Sequence, residues 1–559
     1  MASGNVALTW GCHHTSPPSF QTAPLTGRPA LQRPSRLRTT AVAAAAAFAL
    51  ALPPSAWPQV QLPALGDAVS EDFGVGQERR LGEQIMREIR RDPDYLDDAV
   101  TLEYVQNIWQ SLLAAARARG DIAPEVNERF AWEAFLVRDR SVNAFALPGG
   151  WVGVHLGLVA VTATRDELAS VLAHEMSHVT QRHIARSIAN TQRQSMLGLA
   201  ALILGALAAT RSSGQAASAL IVGGQAAVMQ GQLNFSRDME READRVGYAV
   251  LTGAGYSPAG MAAMFEKLEN AYRLNDTNSF PYLRSHPLST ERIGEARGRL
   301  AGVPKAGSAV GPTLEHVLVQ ARVRVLMDGR AESLRRLQTL DAPAPAVTGA
   351  AAFAERVLGL AASAQASSAL RDFARADAAA QALRELVRGS PRSDARAERG
   401  VALLLAQLAL ERGESARAAE VLAPHAGDAS RPLALLRSQV ALAPGARDAA
   451  AWRREAAELQ TLVAVAPLDA SAWSLLGQLH DRLGQPLRSL RAQAESRYAL
   501  GDLSGAVDRL RAGQRQARAA TAGDFVEASV IDARLRDIEI ERRALAAEMR
   551  AQGRRGDPP

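Results

Sequence analysis

The sequence has little of several residue types that mark common classes of protein. Its single cysteine, Cys12, lies near the start of the chain, so the remainder can form neither a disulfide framework nor a thiolate metal site. Its lysines are Lys267 and Lys305, so arginine supplies nearly all of the positive charge. The net charge of +6 is small for 559 residues, and the basic residues are scattered. Without an aromatic-rich basic patch, the sequence gives no case for nucleic-acid binding.

Long apolar runs are missing as well. The longest, 41–52, 196–209 and 216–229, are all shorter than the ~20 residues that a membrane-spanning helix needs. Three arginines precede the first run and small residues follow it, which predicts a secretory signal peptide within residues 1–56. The alternative is an alanine-rich, low-complexity tail. The two later runs are predicted to form a core helix or a mobile apolar flap, with peripheral membrane contact as the alternative.

The most informative stretch is an H-E-x-x-H motif, which lies within a predicted helix and runs from His174 to His178. Residues four apart share a helix face, so both imidazoles can reach one metal ion. Glu175 is then placed to polarise a metal-bound water, whose pKa zinc lowers from about 15.7 toward about 7. Thr164 and Glu167 fit a capping box at the helix start. The motif predicts one Zn²⁺ per chain and peptide-bond hydrolysis; the alternative is a solvated face with incidental histidines.

A catalytic zinc needs a third protein ligand. The extended motif H-E-x-x-H-x-x-G-x-x-H is ruled out, because Gln181 and Ile184 stand where it requires other residues. His183 is off this spacing. It is predicted either to be structural or to contact a metal ligand without binding the metal itself. A carboxylate on a later helix is the other route. Glu240 and Asp244 are four apart and share a face there, although an ordinary charged helix would show the same pattern.

Two strands are predicted before the motif. Residues 130–137 and 151–156 have strand-like composition, and the segment 141–150 between them reads as a turn rich in Asn, Pro and Gly, so the three predict a hairpin. His155 on the second strand is predicted to be structural or to line the cleft. The helices predicted ahead of these strands are 77–91 and 98–119.

From about residue 313 the chain becomes rich in Ala, Leu and Arg with helical periodicity. Trp473, Leu476 and Gly477 fit the first half of a tetratricopeptide repeat, while Gly413 and Gly501 fit its turns. The register is irregular, which indicates degenerate repeats. The alternative is a helical domain without repeats.

Four blocks together resemble the M48 family of zinc metallopeptidases, in its soluble periplasmic branch with a C-terminal tetratricopeptide array. In chain order the blocks are Asn143 to Gly150, His174 to His183, Ser236 to Gly247 and Ser285 to Leu288. The resemblance covers residues 70–300 strongly and the rest of the chain more weakly.

The resemblance implies roles for particular residues. His174, His178 and Glu240 become the zinc ligands, and Glu175 becomes the general base. Asp244 becomes a residue that hydrogen-bonds to a metal ligand without binding the metal itself. His286 becomes a regulatory fourth ligand on a His-Pro loop. The strand that flanks the substrate cleft is formed by Trp151, Val152, Gly153 and Val154.

The expected fold is mostly α with a small β-sheet: a zincin-type metallopeptidase domain followed by a TPR-like helical solenoid. The predicted segments are a signal peptide with N-terminal extension (1–56), a linker (57–70), the peptidase domain (71–305), the repeat domain (313–550) and a disordered tail (551–559). By resemblance, the protein is periplasmic, and its partners are unfolded or misassembled outer-membrane proteins and the β-barrel assembly machinery. The alternative is a TPR-type chaperone or assembly factor with minor peptidase activity.

Overall fold

The structure, a computed structural model, describes most of the chain after residue 72. The described residues are 73–190, 237–274, 282–300, 313–342, 349–390, 394–518 and 524–551. The predicted signal peptide, the linker, the apolar segment 196–229 and residues 552–559 of the predicted tail lie outside them.

The described residues form a mainly helical protein with one four-stranded sheet, as the sequence predicted. The strands are β1 (Tyr95–Leu96), β2 (Glu133–Val137), β3 (Ala144–Leu147) and β4 (Trp151–His155). The helices of the first half are α1 (Val75–Arg91), α2 (Ala99–Arg119), α3 (Pro124–Arg129), α4 (Leu156–Val161), α5 (Arg165–Thr180), α6 (His183–Asn190), α7 (Arg237–Gly253), α8 (Ala259–Leu274), α9 (Tyr282–Ser285) and α10 (Thr290–Leu300).

The helices of the second half form an array. They are α11 (Leu314–Met327), α12 (Ala331–Gln338), α13 (Ala350–Ala369), α14 (Phe373–Arg388), α15 (Ala395–Glu411), α16 (Ser415–Leu422), α17 (Arg431–Ala441), α18 (Ala449–Val465), α19 (Ala470–Arg482), α20 (Pro486–Ala499), α21 (Leu503–Ala517) and α22 (Phe525–Ala551). Most of them pack against the next helix along the chain, an arrangement consistent with an α-solenoid. No helix in the described ranges combines the length and apolar character that crossing a membrane requires.

The sheet corrects the predicted hairpin. Its strand order is β1-β2-β4-β3, and β2 pairs with β4 in parallel, with Val137 opposite His155. The segment that was predicted to be a turn contains β3, which forms the antiparallel hairpin with β4. The Pro148-Gly149-Gly150 turn joins those two strands, and both glycines have positive φ values (78° and 95°).

A close backbone approach explains how β2 and β4 become parallel neighbours. After β2 the chain passes the end of β4 before it returns as β3. At that crossing, Gly157 N donates to Asp139 O (2.9 Å). A Cβ on Gly157 would lie 2.2 Å from Arg140 O, so a larger residue would block this path.

Trp151 to Val154, which the resemblance implies flank the substrate cleft, form an inner strand of the sheet. These residues lie in β4, which is buried and has a paired strand on each side. Its backbone therefore has no free edge for an added strand. The edge on this side of the sheet belongs to β3, where Ala146 N points away from the ladder and donates to Glu175 Oε2 (3.1 Å).

The helix that carries the H-E-x-x-H motif is enclosed by the protein core. Thr164 caps α5 by accepting a hydrogen bond from Glu167 N (3.2 Å), as the capping pattern predicted. Every residue of α5 from Glu167 to Thr180 is buried. Helices α2, α7 and α8 pack against it, while α1 contributes to a second cluster with side chains of β2 and β4. A helix buried on all sides holds its polar side chains rigidly, since neighbours fix their rotamers.

Helix α11 belongs to two hydrophobic cores. Its Val319 and Val323 lie in the core of the first half, whereas Val317, Leu318 and Ala321 lie in the first core of the array. Ion pairs add to this junction. Arginines of the array pair with acidic residues at the start of α2: Arg322 with Asp98, Arg399 with Glu103, and Arg431 with Asp97.

We expect Gly82→Ala to destabilise the protein by about 1–3 kcal/mol, the usual cost of overpacking. A Cβ at Gly82 in α1 would lie 1.9 Å from Pro148 O and 2.5 Å from the Trp151 ring, so α1 would have to move off the β3–β4 turn. Gly294→Ala is the control, because its Cβ meets nothing within 4 Å and alanine favours a helix by up to about 1 kcal/mol. Denaturant unfolding checks both; equal effects would contradict the prediction.

Candidate metal centre

Four buried side chains from three elements meet beside α5. They are His174 and His178 of α5, Glu240 of α7, and His286, which follows α9. One nitrogen or oxygen of each lies within 4.8 Å of those of the other three, which is a grouping that could hold a metal ion. All four are at most 2% exposed.

The distances between the donor atoms fit zinc. His174 Nε2 lies 3.0 Å from His178 Nε2 and 3.4 Å from Glu240 Oε2. His178 Nε2 lies 3.5 Å from Glu240 Oε1. A tetrahedral zinc with bonds of about 2.0–2.1 Å separates its ligand atoms by about 3.3 Å, and two histidines with one glutamate are an established catalytic donor set. The three side chains therefore fit this ion by chemistry and by spacing.

Asp244 holds the outer nitrogen of His174. Its Oδ1 lies 2.9 Å from His174 Nδ1, so the carboxylate favours the tautomer with Nε2 free for a metal. Burial opposes ionisation of Asp244, but hydrogen bonds from Arg292 and His174 outweigh burial and lower the pKa of the carboxyl. For His174, burial lowers the pKa, but hydrogen bonds to Asp244 and Glu240 outweigh it and raise the pKa to about 9.

Arg292, at the start of α10, connects three parts of the centre. Its Nε and Nη2 donate to the two oxygens of Asp244 at 2.6 and 2.8 Å. Its Nη1 lies 2.8 Å from Glu240 Oε2 and donates to Pro287 O, also at 2.8 Å. One buried guanidinium thus orients Glu240, Asp244 and the loop that carries His286.

Glu175 borders the donor set without belonging to it. Its Oε2 accepts the hydrogen bond from Ala146 N, and its Oε1 lies 3.4 Å from His286 Nε2. Oε1 is buried and makes no hydrogen bond within the described ranges. Burial raises the pKa of Glu175. A raised pKa suits a carboxylate that takes up and releases a proton near neutral pH.

His286 lies against the same donors. Its Nδ1 is 3.0 Å from Glu240 Oε1 and 3.4 Å from His174 Nε2. The Tyr282 ring stacks on the imidazole with ring centroids 4.6 Å apart, and His286 N donates to Tyr282 O. The side chain is therefore held where a fourth ligand would lie.

The other two histidines singled out from the sequence differ in their distance from the centre. His183 contacts the outer nitrogen of His178, and burial lowers the pKa of His183 to about 4. Burial, together with the neighbouring His174, also lowers the pKa of His178. His155 is buried elsewhere, on β4, with its Nδ1 2.9 Å from Ser141 Oγ.

Sequence reasoning missed Arg292 and Tyr282. Arg292 follows the His-Pro pair in the first turn of a helix, where an arginine reads as solvated; only its burial between Asp244 and Glu240 reveals the contact. Tyr282 offers a weak signal, as an aromatic residue four positions before His286.

Comparisons with known proteins agree with this centre. The chain is 37% identical over 264 residues to a putative β-barrel assembly-enhancing protease of Vibrio cholerae, covering 47% of this chain and 52% of the relative. It is 33% identical over 238 residues to the β-barrel assembly-enhancing protease of Escherichia coli, covering 43% and 47%. A mitochondrial metalloendopeptidase of Saccharomyces cerevisiae is 28% identical over 194 residues, covering 34% of this chain and 53% of that protein.

The chain thus spans about half the length of the curated relatives it matches. The match to a family description covers most of α2, the sheet from β2 onward, and every side chain of the centre. Residues 101–300 match peptidase family M48, and the chain therefore contains a domain of that family.

Proposed function

We propose that this protein is a zinc-dependent endopeptidase that acts in the quality control and assembly of outer-membrane β-barrel proteins. The observation that carries the proposal is the buried group of His174, His178, Glu240 and His286 with Glu175 beside it. The family match and the names of the relatives support the same activity.

In this proposal His174, His178 and Glu240 hold one zinc ion. When bound, zinc supplies Lewis-acid chemistry: it polarises the scissile carbonyl and makes water nucleophilic near neutral pH. Glu175 takes the proton of the attacking water and delivers it to the leaving nitrogen of the peptide. Asp244 and Arg292 keep the ligands in place, so little reorganisation is needed during the reaction.

We place the substrate on the edge of β3 that no other strand of the described residues covers. An edge strand carries unpaired N–H and C=O groups, and an extended peptide can add to it as a further strand. The contact of Ala146 N with Glu175 puts this edge next to the base. Unfolded, strand-rich polypeptides suit such a site, which agrees with the names of the bacterial relatives.

We further propose that the protein acts in the periplasm and that its helical array recruits clients or the β-barrel assembly machinery. The array's solenoid-like stacking supports a role in binding protein partners. The periplasmic location rests on the leader predicted within residues 1–56. The test is cleavage of an unfolded outer-membrane β-barrel protein by the zinc-loaded protein, which should stop after chelation and resume when zinc is restored.

We expect His286→Ala to raise basal proteolysis while zinc stays bound through the other three ligands. His286 lies where it would occupy the fourth zinc position and exclude water. A contact worth about 1.4 kcal/mol corresponds to a tenfold rise in rate. Cleavage of an unfolded substrate and zinc content are the measurements. Ser285→Ala, one residue earlier at the end of α9, is the control and should leave both unchanged. Zinc loss or unchanged cleavage in His286→Ala would remove the regulatory role.

A further inference from the structure

The outer nitrogen of His178 faces another histidine rather than a carboxylate. His178 Nδ1 lies 2.9 Å from His183 Nδ1, and both residues are fully buried. His183 Nε2 lies 3.1 Å from Glu242 Oε2. Arg186 Nη1 donates to that same oxygen at 2.8 Å. A continuous chain of contacts therefore runs from His178 through His183 to Glu242.

A backbone turn creates this contact. The two histidines are five positions apart, and on a continuous helix that spacing would place them about 140° apart around the axis. The helix breaks instead at Arg182, which has a φ of 51°, unusual for a residue other than glycine. Arg182 Nε donates to the buried Glu78 (3.0 Å), which fixes the turn that directs His183 back onto His178.

The contacts allow one arrangement of protons when His178 binds a metal. His178 Nε2 must then offer its lone pair to the metal, so its proton is on Nδ1. His183 Nδ1 must accept that proton's hydrogen bond, which leaves the His183 proton on Nε2. The Nε2–H group of His183 then donates to the carboxylate of Glu242. Each ring nitrogen of His178 and His183 then has a partner of the right kind: an acceptor for each N–H group, and the metal or a donor for each lone pair.

Helix α7 provides carboxylates that support both histidines of the H-E-x-x-H motif. Asp244 contacts His174 directly, and Glu242 reaches His178 through His183. Glu240 itself belongs to the group of four donors and faces both His174 and His178. Three carboxylates spaced two residues apart on α7 thus contact the centre by three different routes.

We propose that His183 and Glu242 are positioning residues for His178: the pair fixes the orientation and tautomer in which His178 binds the metal. The inference rests on the proposed zinc centre, and it adds two residues to those implied by the family resemblance. Partners behind metal-binding histidines commonly change metal affinity or activity by about 10–100-fold when removed.

His183→Phe tests the relay, because phenylalanine keeps a ring but cannot accept a hydrogen bond. We expect zinc affinity, measured by competition with a chelator, to fall by about 10–100-fold. His183→Asn places an amide oxygen close to the position of Nδ1 and should restore much of that loss. Cobalt-substituted protein provides a second readout, since its visible spectrum should change in the Phe variant and return toward wild type in the Asn variant.

His316→Phe is the matched control, since His316 is also fully buried and hydrogen-bonded on both ring nitrogens, to Tyr104 and to Thr162 O. It should alter stability without altering zinc affinity or the cobalt spectrum. Equal zinc affinity in wild type and His183→Phe, or equal losses in the Phe and Asn variants, would overturn the relay. A wild-type protein that binds no zinc would instead overturn the proposed function, so the two failures are distinguishable.

Discussion

Replacing Glu175 by Gln is expected to lower proteolysis by about 10²–10⁴-fold, the usual contribution of a general base. Glutamine has nearly the same shape and can still accept the hydrogen bond from Ala146 N, so the fold and the β3 edge should persist. It cannot take up a proton from water. Because Glu175 is outside the group of four donors, zinc should remain bound. Cleavage of an unfolded β-barrel protein and zinc content, measured on the same sample, check both halves of the prediction.

Glu167→Gln is the matched control for this experiment. Glu167 lies on the same helix, is 6% exposed and pairs with Lys267 (2.6 Å), far from the four donors along α5. Its substitution should affect stability and leave cleavage in place. Near-wild-type cleavage by Glu175→Gln would refute the general-base role. If the variant loses cleavage but still promotes β-barrel assembly, the chaperone alternative gains support.

The second large effect is expected at Glu240. Changing it to Gln should lower zinc affinity by more than about 100-fold, beyond the range typical of residues that only support a ligand. Glu240 is 1% exposed, and its oxygens lie 3.4 and 3.5 Å from the Nε2 atoms of His174 and His178. An amide would remove the negative charge that balances the cation. It would also leave Arg292 facing a neutral partner.

Asp238→Asn is the control for Glu240→Gln. Asp238 is two residues earlier on α7, its side chain is 87% exposed, and it pairs with Arg241 at the surface. Zinc affinity should be unchanged. Glu242→Gln should have a smaller effect than Glu240→Gln, because its amide oxygen can still accept from His183. Chelator competition ranks the three variants, and an order in which Glu240→Gln is not the weakest binder would contradict the assignment.

The sequence by itself determined the parts of the centre that depend on local periodicity. The spacing of His174 and His178 predicts a shared helix face, and the structure places their nitrogens 3.0 Å apart. Thr164 predicts where that helix begins, because capping depends on residues within one turn. The i,i+4 spacing also placed Glu240 and Asp244 on one face, and both contact His174 in the structure.

Strand pairing was decided only by the tertiary structure. A run of strand-forming residues indicates a strand but does not identify its neighbour, since neighbours are chosen by contacts distant in sequence. Residues 141–150 read as a turn, yet Ala144–Leu147 pair with β4 and form the edge beside Glu175. The parallel pairing of β2 with β4 depends on the tight crossing at Gly157.

Tertiary packing likewise determines which residues surround the four donor side chains. Arg292 and Glu242 are charged residues on amphipathic helices, a pattern that usually indicates a solvated face. Arg292 becomes buried because its side chain reaches across to α7, where Asp244 and Glu240 compensate its charge. His183 reaches His178 only because the helix breaks at Arg182. Local spacing therefore placed His174 with His178, and Glu240 with Asp244, on shared helix faces, whereas the contacts that orient these side chains arise from the packing of helices distant in sequence.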